Sequence, residues 1–297
     1  MIYHQGTGIT TSITNGIEEA KLVSEQADKI IVVLGGPSAR DFTTTFDTNG
    51  AAISGSNEMT SGENIDLSDL AIPKIQYELL VALRELGKPI IGVVIQGRPH
   101  VLTDVEPLLD AVLIAGYPGE NGGEAIASIL FGESPSGKLA MSIPRSTGQL
   151  PVYYNYRDIA FKKDYVEMSG DPQFSFGTGL SYTTFDIKNV SIDGASIALD
   201  DNESVVTVSG EITNTGTVHG AEVVQFYVKS HQKRVITRIK ELKGFEKIWL
   251  NPNETRSFNI DLHLSELDDS LIEIPMTDIT VMVEATNFSE SKKIEIV

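Results

Sequence analysis

Ile30-Ile31-Val32-Val33-Leu34-Gly35-Gly36 decides how this 297-residue chain is to be read. A continuous β-branched run closed by a glycine pair suits a strand buried on both faces, as in a parallel sheet. Working outward, Asn15-Gly16-Ile17-Glu18 resembles an N-cap with an acidic residue three positions on, and Ile17, Ala20, Val23 and Ala27 follow at helical spacing. On the other side Pro73 opens a helix with Ile75, Leu79, Leu80, Leu83 and Leu86 on one face, and Gly87 ends it. Pro89 to Ile95 is a second apolar strand, Asp104 to Leu109 a short helix, and Ala111 to Ala115 a third strand. Gly123 to Phe131 is a further helix packing Ile126, Ile129 and Leu130, stopped by Gly132. Alternation of this kind predicts an α/β domain over residues 1–144, its mainly parallel sheet sandwiched by helices.

Near Pro144 the rhythm changes. Residues 145–184 are rich in Tyr, Pro, Gly and charge, and read as an ordered connector with little regular structure. From 185 to 297 short alternating segments are separated by turn clusters such as Asn214-Thr215-Gly216 and Asn251-Pro252-Asn253. The clearest are Val205 to Val208, Glu211 to Thr213, Val223 to Val228, Ser257 to Leu262 and Ile279 to Glu284. About seven strands in such a length fit an all-β immunoglobulin-like sandwich.

Composition narrows the chemistry. The formal net charge of −18 would repel nucleic acid and anionic membranes, while a neutral substrate such as a sugar is compatible with it. With no cysteine, disulfides, thiolate catalysis and cysteine-bound metal are excluded, and the compartment stays open. His4, His100, His219, His231 and His263 show no ligand-type spacing, so neither a metal nor a cofactor is expected. No apolar run approaches the roughly 18 residues of a membrane span. Met1-Ile2-Tyr3-His4 leads straight into a polar segment, unlike a secretory leader.

In open parallel sheets, ligands bind beyond the carboxyl ends of the strands, which singles out three loops. The first, from Gly35 to about Ile72, carries Arg40-Asp41-Phe42, Glu58 and Ser61-Gly62-Glu63-Asn64-Ile65-Asp66. Connections this long tend to be functional or disordered. By pattern alone Glu63 is a solvated loop carboxylate. The second loop is Gln96-Gly97-Arg98-Pro99-His100, in which Arg98 has the place of a structural ion-pair partner. The third, Gly116-Tyr117-Pro118-Gly119-Glu120-Asn121-Gly122-Gly123, leads into a helix but lacks both the P-loop ending and the dinucleotide spacing, and reads as a tight connection. No Gly-x-Ser-x-Gly elbow is present.

Several segments together resemble glycoside hydrolase family 3, the β-glucosidase and β-xylosidase family. Ser61-Gly62-Glu63-Asn64-Ile65-Asp66 with Leu70-Ala71-Ile72-Pro73 and Gln76 is similar to its Gly-Glu-Gly-x-Asp-Arg segment before a Leu-Pro-Gly-x-Gln helix start. Tyr117-Pro118-Gly119 through Ala127, Leu130-Phe131-Gly132 and Pro135-Ser136-Gly137-Lys138-Leu139 form the most specific stretch. Phe174 to Phe185 matches the connector motif. Asn214-Thr215-Gly216, Glu222 to Gln225 and Glu241 to Phe245 match the family's fibronectin-III-like domain. The resemblance covers nearly the whole chain, in the right order.

It implies a specific division of labour. In the family a (β/α)8 barrel supplies an Asp nucleophile, and the α/β domain reaches over with a Glu general acid/base. Glu63 stands at that position, and Arg40, Asp41 and Glu58 become candidates for lining the substrate pocket. Retaining hydrolysis needs two carboxyl groups about 5–5.5 Å apart, one attacking and one protonating the leaving oxygen. The acid must stay protonated near neutral pH, which a neighbouring carboxylate and exclusion of water promote. The family's Asp-Arg pair is Asp66-Leu67 here, which bears on how the loop is held, and Asn64 replaces the Gly after Glu63. The resemblance also implies a strand upstream of Tyr3-His4-Gln5-Gly6, so the sheet is expected to lack an element. No barrel is present; the expectation is an acid/base-bearing subunit or half needing a barrel-bearing partner chain. The alternative from another class is a non-catalytic carbohydrate-binding or interaction module.

Overall fold

The computed structural model describes residues 1–38, 45–50, 58–62, 65–158, 164–193, 196–197, 205–232, 236–263 and 276–296. Arg40, Asp41 and Glu63 lie outside the described residues. The chain divides into two compact units. One comprises Met1–Ile126, Ser142–Val152 and Asp164–Phe174, the other Ala127–Met141, Tyr153–Lys163 and Ser175–Val297.

In the first unit the apolar runs form a parallel three-stranded sheet, in the order β1 (Ile30–Gly35), β2 (Ile90–Ile95), β3 (Ala111–Gly116). Ile30 pairs with Ile90, and Ile91 with Ala111. The helices are α1 (Gly16–Ser24) and α2 (Lys74–Arg84), with a 3-10 turn at Glu106–Leu108 in place of the expected short helix and another at Thr147–Gln149, while α3 (Gly122–Leu130) begins in this unit and ends in the other. Leu79, Leu80 and Leu83 of α2 are buried at helical spacing, and Gly87 just beyond has a φ of 66°, the left-handed conformation that glycine adopts at helix ends. Two local expectations are corrected. Asn15 caps α1 with no side-chain bond, because its own backbone is left-handed. On α3, Ile126, Ile129 and Leu130 are only half-buried.

β1 departs from the sequence reading in a more consequential way. Ile30, Val32 and Leu34 are buried, but Ile31 and Val33 on the other face are 43% and 64% exposed. A β-branched run reports strand propensity, not what covers each face, so an edge strand with one bare face reads the same as a central one. Beside it a cleft of about 550 Å³ is lined by Ile2, Tyr3, His4 and Gln5 on one side and by Ile31, Val33 and Gly35 on the other.

The second unit is built on a β sandwich. One sheet has the order β5 (Ser196–Ile197), β11 (Phe288–Ile296), β10 (Met276–Ala285), β7 (Gly220–Gln232), β8 (Glu241–Leu250). The other runs β4 (Phe185–Asp193), β6 (Val205–Asn214), β9 (Thr255–His263). All pairings are antiparallel except that of β5 with β11. Alternate residues from both sheets, among them Val208, Ile212, Phe226, Ile248, Phe258 and Val281, form one apolar core. β7 is buried on both faces, because residues from beyond the sandwich lie against its outer side. Tyr154 stacks on Phe176 at 4.1 Å and approaches Tyr227. Lys138 bonds the Gly179 carbonyl and the Thr286 hydroxyl and sits 2.6 Å from the carboxylate of Glu222, itself only 1% exposed. A charge so deeply placed persists only when it is paired and hydrogen-bonded, as Glu222 is.

Candidate active site

The carboxyl ends of β1, β2 and β3 converge on the loops singled out above. β1 ends in Gly35-Gly36, and this end is fastened by a residue from α2. The Gln76 carboxamide accepts from the Gly35 amide at 2.8 Å and donates to the Gly35 carbonyl at 2.7 Å and the Ile9 carbonyl at 2.9 Å. It does for the open edge what a neighbouring strand would do, satisfying backbone groups that burial would otherwise strand. The family resemblance marks Gln76 at a helix start without assigning it a role; a polar residue on the buried stripe of an amphipathic helix is the signal that betrays it.

Glu58 is the one expected pocket-lining residue among the described ones. Its carboxylate accepts from the amides of Ile9 (2.8 Å) and Thr10 (3.3 Å) and from the Thr10 (3.4 Å) and Thr11 hydroxyls. Burial works against its ionisation, but the Thr11 hydroxyl and the Ile9 and Thr10 amides outweigh it and hold the carboxyl below the usual range. It lines the cleft along β1 as an anionic anchor for residues 9–11.

On either side of Glu63 the loop is tied down. Before it, the Thr60 amide donates to the Pro37 carbonyl at 3.2 Å, and Thr60 fills the space that a side chain on Gly36 would need. The Ser61 hydroxyl lies 2.8 Å from the Tyr117 hydroxyl, which donates to the Gly36 carbonyl at 3.3 Å. Gly62 and Ile65 are bonded to each other, the Ile65 amide donating to the Gly62 carbonyl at 3.2 Å. After it, Asp66 sits 2.6 Å from Nε of Arg98. That nitrogen is buried without an aligned hydrogen bond, so the pair is a close charge contact, and with both side chains well exposed its worth is small. Arg98 is thus the ion-pair partner its position suggested, and it meets the aspartate whose neighbouring Arg is Leu67 here. Further on, the Val101 amide (2.8 Å) and His100 Nδ1 (3.0 Å) bond the Leu70 carbonyl, while Thr147 bonds both the Leu70 amide and Asp69. His100 is buried, which pushes its imidazole below the usual value against the pull of the Leu70 and Ala71 backbone bonds, so the neutral ring is the form held. Among the described residues no cluster of three or more His, Cys, Asp or Glu side chains is placed to hold a metal ion, and no helix is long and apolar enough to cross a membrane.

A parallel α/β unit followed in one chain by a fibronectin-like sandwich is the two-domain class that the fold defines. The chain belongs to glycosyl hydrolase family 3: the model of that family's C-terminal domain matches residues 4–182, and a fibronectin type III-like domain matches residues 222–269. It is 38% identical over 259 residues to a periplasmic β-glucosidase of Salmonella typhimurium, covering 83% of this chain and 31% of that protein. A β-xylosidase of Formosa agariphila is 36% identical, over 97% of this chain and 37% of its own length. Among solved structures, a β-glucosidase from Erythrobacter marinus superposes with a TM-score of 0.84 at 32% identity, over all of this chain and 41% of that one. A Listeria innocua β-glucosidase in complex with glucose gives 0.81 at 26%, over 98% and 39%. The chain therefore spans 31% to 41% of these relatives' lengths, corresponding to their C-terminal part.

Proposed function

We propose that this chain supplies the general acid/base, Glu63, of a retaining β-glycosidase of the β-glucosidase or β-xylosidase type, acting on terminal non-reducing sugars. The nucleophile comes from a (β/α)8 barrel on a partner polypeptide. The observation that carries this reading is the double anchoring of the loop. Ser61 and Asp66, flanking Glu63, reach Tyr117 and Arg98 at the carboxyl ends of β3 and β2, where ligands of parallel sheets bind. Anchors on both sides suit a carboxyl group that must be aimed at a leaving oxygen, and are superfluous for a solvated surface glutamate. Arg40 and Asp41, on the same loop, together with Glu58 complete the substrate-facing set in this proposal.

The role assigned to Glu63 is protonation of the glycosidic oxygen as the nucleophile attacks, then deprotonation of the water that releases the sugar. In the assembled enzyme, Glu63→Ala is expected to lower kcat for a nitrophenyl glycoside by about 10²–10⁴-fold, with part of the loss restored by azide, which needs no general base. Unchanged turnover would instead favour a non-catalytic carbohydrate-binding module.

A further inference from the structure

We infer that Tyr117 is a positioning residue for Glu63, acting through a two-hydroxyl relay that fixes the catalytic loop to the sheet. This rests on the acid/base reading of Glu63 and adds how that carboxyl is aimed.

Proton accounting gives the relay a direction. Tyr117 has one hydroxyl proton, and it goes to the Gly36 carbonyl at 3.3 Å. Its oxygen is then the acceptor for Ser61, whose proton spans the 2.8 Å between the two hydroxyls. The order is Ser61 to Tyr117 to Gly36, from the loop to the end of β1. The phenol ring is fixed as well: a side chain on Gly97, at the end of β2, would collide with it. Tyr117 itself follows β3 directly. One residue thus touches the carboxyl ends of all three parallel strands and holds the loop two residues before Glu63.

Of the two anchors this is the better built. Ser61 is buried, so losing its partner strands a hydroxyl away from water. The contact of Asp66 with Arg98 lacks an aligned hydrogen bond, and the Asp66 carboxylate is largely exposed to screening water. Freed at Ser61, the loop would leave Glu63 chemically intact but badly aimed, and misplacement of a catalytic group by about 1 Å costs on the order of 10²-fold.

The test is leaving-group dependence of kcat/KM in the assembled enzyme, this chain with its barrel-bearing partner, on aryl β-glycosides from phenyl to dinitrophenyl. A poor leaving group needs protonation and a good one does not, so an impaired general acid steepens the dependence. Tyr117→Phe, which removes only the hydroxyl, should lose about 10²-fold on the phenyl glycoside and less than about 3-fold on the dinitrophenyl glycoside. Ser61→Ala should follow the same trend, and it carries the test if Tyr117→Phe folds poorly. Glu63→Gln in parallel separates the two ideas. If Glu63→Gln steepens the dependence and both hydroxyl variants lose rate evenly across leaving groups, or lose none, Tyr117 is not a positioning residue while the acid/base reading stands. If Glu63→Gln leaves the dependence unchanged, the acid/base reading falls and this inference falls with it.

Discussion

Glu58 sits in the same loop as Glu63 and is held as an anion by the chain around it. Four donors from Ile9, Thr10 and Thr11 converge on it, and its lowered pKa means that the folded protein favours the ionised form more than the unfolded chain does. The contribution to stability is therefore complete above the ordinary carboxylate range and disappears as pH falls through the lowered value. Replacing Glu58 by Gln keeps the shape and removes the charge. At neutral pH this should destabilise the chain by about 1 kcal/mol, after discounting for solvent screening. As pH falls through the lowered value the gap should close, until the variant and the parent unfold at the same temperature. Parallel Tm curves separated by a constant gap at every pH would contradict the assignment. Periodicity does not separate this glutamate from Glu63, and only the family resemblance tells them apart in the sequence; the anchoring of Glu58 depends on partners 47 to 49 residues away, which no local pattern announces.

At the scale of elements, the sequence was legible where burial imposes a pattern. The run from Ile30 to Leu34 and the 75–83 stripe became β1 and the buried side of α2. It was poorly legible where an element is mostly wet. β11 alternates Ser, Glu and Lys with little more than Ile294 fully buried, so no apolar rhythm announces it. Asn214 was read as a turn residue, whereas it is fully buried and its side chain bonds Thr183, Gly216, Val218 and Leu250. Gln76 belongs with these hidden polar hubs, and its loss is measurable. Gln76→Leu fits the same volume but orphans the Gly35 amide and carbonyl and the Ile9 carbonyl. Denaturant unfolding should show a loss of about 2–4 kcal/mol, whereas Gln76→Glu should keep the acceptor for the Gly35 amide and lose the donors. A neutral result for the Leu variant would mean that β1 finds another neighbour.

The whole chain combines a net charge of −18 with a parallel sheet whose edge strand shows Ile31 and Val33 to solvent. Parallel sheets are ordinarily covered on both faces, and bare strand edges recruit other chains. If the proposed partner polypeptide exists, it and a second copy of the chain are rival occupants of this edge, and electrostatics would tell them apart. Two copies at −18 repel, so self-association should be weak at low salt and strengthen as ions screen the charge. Assembly with a partner of different charge carries no such penalty. The purified chain alone is accordingly expected to self-associate in a salt-dependent way, seen by light scattering, and to leave nitrophenyl glycosides intact. Val33→Lys should shift it toward monomer, because a charge pointing from an edge strand blocks pairing, and should weaken capture of the barrel-bearing polypeptide by at least about tenfold. Robust hydrolysis by the isolated chain would sink the shared-site proposal. Tight assembly that Val33→Lys leaves untouched would move the contact to another surface.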